Sequence, residues 1–241
     1  MQLAYNILLF VITFVGGSIP LWVKGLNDNR MHYLLAFSGS FLLSITFLHL
    51  LPETFEEIGG KAGFFLLVGF FVQLLIQRIT HGIEHGHVHV HTHDHHIPLK
   101  SILLGLSIHA FMEGLPLGFN YRLEATEPSL YLAVAAHKLP EAMLVATLVA
   151  GNGSKVKSLL IVFLFSAITP FAGIMATLLG TSYHFVANAV MALIPIVAGA
   201  FIHIATTIFF ESGTKQHMLT WQKVIAILLG VSIGLATLVL E

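Results

Sequence analysis

Two pairs of histidine and glutamate interrupt otherwise apolar stretches of the sequence. The first pair is His109 and Glu113, and the second is His137 and Glu141. The spacing of four residues places both side chains of a pair on the same helical face, one turn apart. Ionisable groups are costly inside a bilayer, and they usually mark a functional site that faces the interior of a helix bundle. Two helices packed side by side would therefore present two imidazoles and two carboxylates to one point.

The chemistry that these four groups favour is the binding of a divalent metal ion. Imidazole nitrogen with carboxylate oxygen suits Zn²⁺, and also Fe²⁺, Mn²⁺, Co²⁺ or Cd²⁺, whereas Mg²⁺ and Ca²⁺ prefer oxygen ligands alone. The sequence has no cysteine, which excludes thiolate ligands. At a rise of ~1.5 Å per residue, the depths of the four groups below the outer helix ends overlap near the bilayer middle. We therefore predict a metal site, with zinc as the preferred ion, at His109, Glu113, His137 and Glu141.

Two further pairs of histidine and glutamate could serve the entrance and the exit of such a site. His49 and Glu53 lie at the outer end of the second of eight apolar runs, residues 32–52, where neighbouring glutamates form an acidic mouth that would concentrate cations. His203 and Glu211 lie along the seventh run, with Glu211 at its cytoplasmic end. We predict an entrance role for the first pair and an exit role for the second. The alternatives are a solvated helix end for the first pair, and packing and helix capping for the second.

A histidine-rich segment separates the third and fourth apolar runs. Eight of the fifteen histidines fall between residues 81 and 96, and this composition is typical of metal chelation. We predict a cytoplasmic loop over about 81–97 in which metal is bound by His85, His87, His89, His91, His93, His95 and His96. The alternative is a solvated, disordered loop with no site of fixed geometry.

The elements that must position these residues are helices that cross a membrane. The chain is 56% hydrophobic and only 10% charged, with a mean hydropathy of +0.87, whereas a soluble domain is about 25% charged. Apolar runs of membrane-spanning length occupy residues 3–23, 32–52, 61–79, 98–119, 129–150, 157–180, 185–210 and 219–240. We predict an all-α polytopic membrane protein with eight transmembrane helices, in which residues 1–241 form a single transmembrane domain.

The distribution of charge predicts how the chain is oriented. Eight of the eleven lysine and arginine residues fall on one side of the predicted membrane, and positive charge prefers the cytoplasmic side. Both termini should therefore be extracytoplasmic. The expected location is a plasma (inner) membrane. The net charge of −1 gives no sign of a nucleic-acid partner. The expected partners are the metal ion and the lipid bilayer, and a homodimer is left open.

Taken together, these motifs resemble those of the ZIP (Zrt/Irt-like) family of divalent metal-ion transporters. The resemblance rests on H-A-F-M-E-G in the fourth run, H-K-L-P-E in the fifth, His49-Leu-Leu-Pro-Glu53 in the second and the histidine-rich loop, and it covers essentially the whole chain. It implies eight helices with both termini outside and metal uptake into the cytoplasm. It also implies that helices 1, 4, 5 and 6 move as a bundle against helices 2, 3, 7 and 8. We therefore predict a zinc importer that works by alternating access.

Lys138 sets the predicted number of metal ions. Some members of the family hold two adjacent metals, using an asparagine, an acidic residue and a glutamate at positions where this sequence has Ala110, Lys138 and Thr169. An ammonium group at that point would repel a second cation. We predict a single transport metal, with Lys138 as the charge that blocks a second site. The alternative is a lysine side chain that extends along its helix to the membrane interface.

Three other functions use similar residue types. An intramembrane zinc hydrolase would need an open coordination position and a general base, and the sequence has neither an H-E-x-x-H motif nor a nucleophile elbow. A metal exporter of another family would place these residues in six spans with a soluble cytoplasmic tail, whereas this chain is expected to end directly after its last span. A metal-sensing receptor would bind the ion without moving it. We expect a transporter and not an enzyme.

Overall fold

The computed structural model of the chain describes residues 2–23, 28–80, 99–118, 127–150, 154–182, 184–211 and 220–239. Within these ranges the regular secondary structure is entirely helical and no strand is present, which confirms the predicted all-α class. The α-helices are α1 (Gln2–Ser18), α2 (Asp28–Ile45), α3 (Leu51–Ile58), α4 (Lys61–Thr80), α5 (Leu99–Leu117), α6 (Glu127–Ala150), α7 (Lys155–Ser182), α8 (His184–Glu211) and α9 (Trp221–Thr237). The fourth and fifth predicted spans, which carry the two His/Glu pairs, correspond to α5 and α6.

The second helix is longer than predicted. The expected end at residue 52 is wrong, because α2 continues through a π-helical turn at Thr46–Leu50 into α3, which ends at Ile58. Pro52 lacks an N–H group and cannot donate to the carbonyl of Leu48, which accounts for a change of hydrogen-bonding register directly before it. The chain then leaves the helix at Gly59, whose φ of 59° is accessible to glycine at little cost.

Several helices have the length and composition needed to cross a membrane. Within the described ranges five segments qualify, namely Gln2–Leu21, Met31–Ile58, Lys61–Thr80, Pro128–Ala150 and Lys155–Gly180. Two shorter apolar helices are Ala192–Ile208 and Trp221–Thr237. Large apolar side chains such as Phe64, Leu67 and Phe71 of α4 are exposed on the outside of the bundle. Such a surface is stable against lipid and not against water.

Close helix contacts depend on glycine at positions where two backbones meet. The most extensive packing joins α4 with α8, α2 with α9, α5 with α7 and α1 with α6. Between α4 and α8 the arrangement is reciprocal, since Gly69 lies on the backbone of Ile196 and Gly199 lies on the backbone of Leu66. Small residues are enriched at helix interfaces in membranes because they allow this approach.

The helices α5 and α6 pass between two apolar clusters, and the polar pairs lie where neither cluster reaches. Leu117 of α5 and Val134 of α6 belong to one cluster, which also contains Phe41 and Phe201. Leu106 of α5 and Val145 of α6 belong to the other. The helical positions between these residues carry the histidines and glutamates, so apolar packing above and below fixes the depth at which the polar groups meet.

Candidate metal site

The two His/Glu pairs meet between α5 and α6. Nε2 of His109 lies 2.9 Å from Oε1 of Glu113 and 3.9 Å from Oε1 of Glu141. Nε2 of His137 lies 3.5 Å from the same Oε1 of Glu113. One ligand atom from each residue can be chosen so that all four lie within 4.8 Å of one another, and all four side chains are buried. The predicted residues thus form one cluster that fits a metal ion.

These distances are close to what a tetrahedral zinc ion requires. Bonds of about 2.0–2.2 Å to zinc place neighbouring ligand atoms about 3.4 Å apart. The three separations of 2.9, 3.5 and 3.9 Å lie within about 0.5 Å of that value. The widest separation in the set, at most 4.8 Å, would have to shorten by up to about 1.4 Å. Oε1 of Glu141 and Nδ1 of His137 are buried and accept or donate no hydrogen bond within the described residues. A bound cation would satisfy the carboxylate oxygen, whose burial is otherwise costly.

Lys138 contacts the same two glutamates through their other carboxylate oxygens. Its Nζ lies 2.5 Å from Oε2 of Glu113 and also forms an ion pair with Oε2 of Glu141. The ring of Phe165 on α7 lies 5.4 Å from the same ammonium group. The side chain is 1% exposed, so it does not extend to the membrane interface. Each carboxylate therefore presents Oε1 to the histidines and Oε2 to the lysine.

Ala110 and Thr169 are the other two positions that the family resemblance associates with a second metal. In this structure they join two helices. The hydroxyl of Thr169 on α7 donates a hydrogen bond of 2.9 Å to the carbonyl oxygen of Ala110 on α5. The alanine methyl group offers no ligand, and the threonine hydroxyl is engaged in joining two helices. This arrangement agrees with the prediction of a single metal ion, which remains a prediction.

A proline lies next to each pair of candidate ligands. Pro116 in α5 cannot donate to the carbonyl of Met112, and Pro140 in α6 cannot donate to that of Ala136. Each of these carbonyls is one residue away from a candidate ligand. Such local weakening of a membrane helix is tolerated where the backbone lines a cavity.

The predicted entrance residues lie at the π-helical turn of the second helix. His49 is buried within the turn, and Glu53 is half-buried in the first turn of α3. Thr237 of α9 donates its hydroxyl proton to the carbonyl of Gly234, so its oxygen accepts the hydrogen bond of 2.8 Å from Nε2 of His49. This contact joins His49 to α9. The entrance role itself remains a prediction.

The predicted exit residues are separated along α8. Nε2 of His203 lies 2.7 Å from Oε1 of Gln77 on α4, and the ring packs edge-on against Phe70 at 4.8 Å. Glu211 is the last residue of α8, and its side chain lies outside the described residues. The loop histidines, from His85 to His96, also lie outside the described residues. The structure therefore places only His203 of this set.

Two glutamines of α4 contact these histidines and were not predicted from the sequence. Oε1 of Gln73 lies 3.3 Å from Nδ1 of His109, and Gln77, one turn further along, contacts His203. Both residues interrupt the apolar run of the third span, with the same four-residue spacing as the His/Glu pairs. That spacing was the available signal, since polar groups at one helical face in a membrane span mark a buried contact.

Comparison with known proteins gives a result for nearly the whole chain. The family model described as ZIP zinc transporter matches residues 3–102 and 87–240. No curated protein matches the sequence.

Proposed function

The chain belongs to the ZIP zinc transporter family, and from this premise we propose that it imports zinc into the cytoplasm through the buried His/Glu cluster of α5 and α6. Members of the family are transporters and not enzymes, and a buried cluster of this composition fits a divalent metal ion. The observation that carries the proposal is the convergence of four ligand atoms within 4.8 Å. The proposed ligands of the transported ion are His109, Glu113, His137 and Glu141.

Zinc is the proposed substrate because two imidazoles and two carboxylates give it a complete tetrahedral shell. Fe²⁺, Mn²⁺, Co²⁺ and Cd²⁺ accept the same donors and are the competing substrates. A shell filled by four protein ligands leaves no position for an activated water, which weighs against an intramembrane zinc hydrolase. The ammonium group of Lys138 holds the outer oxygens of both carboxylates, which supports one transported ion at a time.

We propose one transmembrane domain of eight spans, with both termini outside and the histidine-rich loop in the cytoplasm. The excess of basic residues on one side supports this orientation. Trp22, after α1, and Trp221, at the start of α9, are both exposed and both fall on the proposed cytoplasmic side. Nζ of Lys155 lies 3.3 Å from the centre of the Trp22 ring. Tryptophan and lysine are characteristic of a membrane–water interface, and a plasma (inner) membrane location is proposed.

The proposed transport cycle uses two groups of helices. The pairs α5–α7 and α1–α6 pack extensively, as do α4–α8 and α2–α9, while α5 contacts α4 less extensively. The first group is α1, α5, α6 and α7, and the second is α2, α3, α4, α8 and α9. Rocking of the first group against the second would open the site to one side at a time. Zinc would enter past Glu53 and His49, and would leave past His203 and Glu211.

The experiment is zinc uptake into proteoliposomes that contain the purified protein. The wild-type chain should accumulate Zn²⁺, while His109→Ala and Glu141→Ala should reduce the initial rate by at least about tenfold, since loss of one ligand leaves the ion incompletely coordinated. Thr147→Val is the control, because the hydroxyl of this exposed residue donates only to Leu144 of its own helix. Wild-type rates in the ligand variants would refute the proposed site.

Direction is tested in intact cells that express the chain. An importer should raise the zinc content of the cell when zinc is supplied outside, whereas an exporter should lower it. Uptake of Fe²⁺, Mn²⁺, Co²⁺ and Cd²⁺ in the vesicle assay then ranks the substrates. A chain that binds zinc but moves none in either assay would favour a receptor.

A further inference from the structure

Gln73 connects the candidate metal site to a helix outside α5 and α6. It lies in the middle of α4 and its side chain is fully buried. Its Oε1 is 3.3 Å from Nδ1 of His109. A polar side chain buried inside a membrane span is costly unless it has a hydrogen-bond partner. The contact with His109 gives the amide of Gln73 such a partner at the level of the metal site.

The direction of this hydrogen bond determines the chemistry of the imidazole. The amide oxygen of Gln73 can only accept, so Nδ1 of His109 carries the proton and donates it. Nε2 is then the nitrogen that faces Glu113 and Glu141 and can bind a metal. Histidine ligands of metal sites commonly donate their other N–H to an acceptor, which fixes both the tautomer and the ring orientation.

The second imidazole of the site has no equivalent support. Nδ1 of His137 has no hydrogen-bond partner among the described residues. The two rings lie 5.9 Å apart and are nearly perpendicular. Of the two imidazoles, His109 is therefore the one whose Nδ1 has a hydrogen-bond acceptor among the described residues, and Gln73 supplies it.

We propose that Gln73 is a positioning residue, which holds His109 with Nε2 toward the transported ion and ties this ligand to the α4–α8 pair. The inference rests on the proposed function of the site. Loss of the amide should weaken zinc binding without removing a ligand. Substitution of such supporting acceptors typically costs about 10–100-fold in metal affinity.

The test compares zinc uptake by the full-length protein carrying Gln73→Leu or Gln73→Glu. Leucine keeps the approximate volume but offers no acceptor, whereas glutamate keeps an acceptor oxygen. We expect Gln73→Leu to raise the zinc concentration for half-maximal uptake by about tenfold or more, and Gln73→Glu to restore it toward the wild-type value. Ser38→Ala is the matched control, since this buried hydroxyl donates only within its own helix, to Leu35.

Thermal unfolding of each purified variant separates positioning from folding. A wild-type half-saturating concentration in Gln73→Leu, or equal impairment of the leucine and glutamate variants, would overturn the role of Gln73. His109→Ala is measured in parallel. If it abolishes uptake while Gln73→Leu has no effect, only the present inference fails, whereas wild-type uptake by His109→Ala would remove the proposed site itself.

Discussion

Lys138 of α6 and Glu113 of α5 form an ion pair across the two helices, with Nζ 2.5 Å from Oε2. Oε1 of the same carboxylate faces both imidazoles, so Glu113 lies between the ammonium group and the position proposed for the metal. Both side chains are 1% exposed. Removing one member of such a pair is strongly destabilising, because the remaining charge has no compensation.

We expect Lys138→Met to lower the thermal midpoint of the zinc-free protein, since breaking a buried ion pair costs about 3–5 kcal/mol. Saturating zinc should recover part of the loss, because the ion binds the folded state between the carboxylate oxygens. Thermal unfolding in detergent with and without zinc measures both effects. Lys157→Met, which changes an exposed lysine of α7, is the control. Equal midpoints for the wild-type and Lys138→Met proteins without zinc would contradict this role.

Acidification should weaken loading of the site. Imidazole and carboxylate bind a metal only when they are deprotonated, so protons compete with zinc. Lowering the pH on both sides of the vesicle membrane from about 7.5 to about 5.5 should raise the zinc concentration for half-maximal uptake. Initial rates measured over a range of free zinc, buffered at each pH, give this value. A half-saturating concentration that stays constant over the range would argue against ligation by these groups.

Gly69 and Gly63 of α4 should respond oppositely to alanine. A Cβ at Gly69 would overlap the backbone of Ile196, whereas a Cβ at Gly63 meets nothing within 4 Å. We expect Gly69→Ala to destabilise the protein by about 1–3 kcal/mol through overpacking, and Gly63→Ala to have no effect or to stabilise it slightly through helix propensity. Thermal midpoints of the two variants are compared directly. Equal midpoints would show that α4 and α8 can separate without loss.

The proposed entrance predicts a separate kinetic effect. Glu53→Gln removes a negative charge near His49, so zinc should be concentrated less at the mouth. The half-saturating zinc concentration should rise while the maximal rate stays near that of the wild type. Its dependence on ionic strength should also become weaker, since salt screens the same attraction. A lower maximal rate with unchanged half-saturation would instead place Glu53 in a later step.

The helical spacing of the sequence predicted which candidate ligands share a helical face. His109 with Glu113, and His137 with Glu141, were each assigned to one helical face, and the structure brings their ligand atoms within 4.8 Å. The all-helical class is confirmed as well. The helical class and the shared faces depend on local periodicity, which a sequence displays directly. The meeting of the two faces depends on how α5 and α6 pack.

The contacts that the sequence did not predict depend on how neighbouring helices are rotated. Lys138 was expected to repel a second cation, but spacing alone could not show that it pairs with both glutamates. Gln73 reaches His109 only because α4 packs beside α5. The π-helical turn before Pro52 was missed because loss of one N–H predicts a disturbance and not the register that replaces it.

In the proposed transport cycle, the division of carboxylate oxygens between Lys138 and the histidines would have an electrical consequence for the return of the empty protein. With neutral imidazoles, the empty cluster of two glutamates and one lysine would carry one net negative charge. A bound Zn²⁺ would change this to one net positive charge. Without the lysine, the vacant cluster would hold two uncompensated negative charges. The cost of burying a charge away from water grows with the square of that charge. By keeping the net charge of the cluster at one and not two, the ammonium group of Lys138 would lower the largest such cost in the proposed cycle.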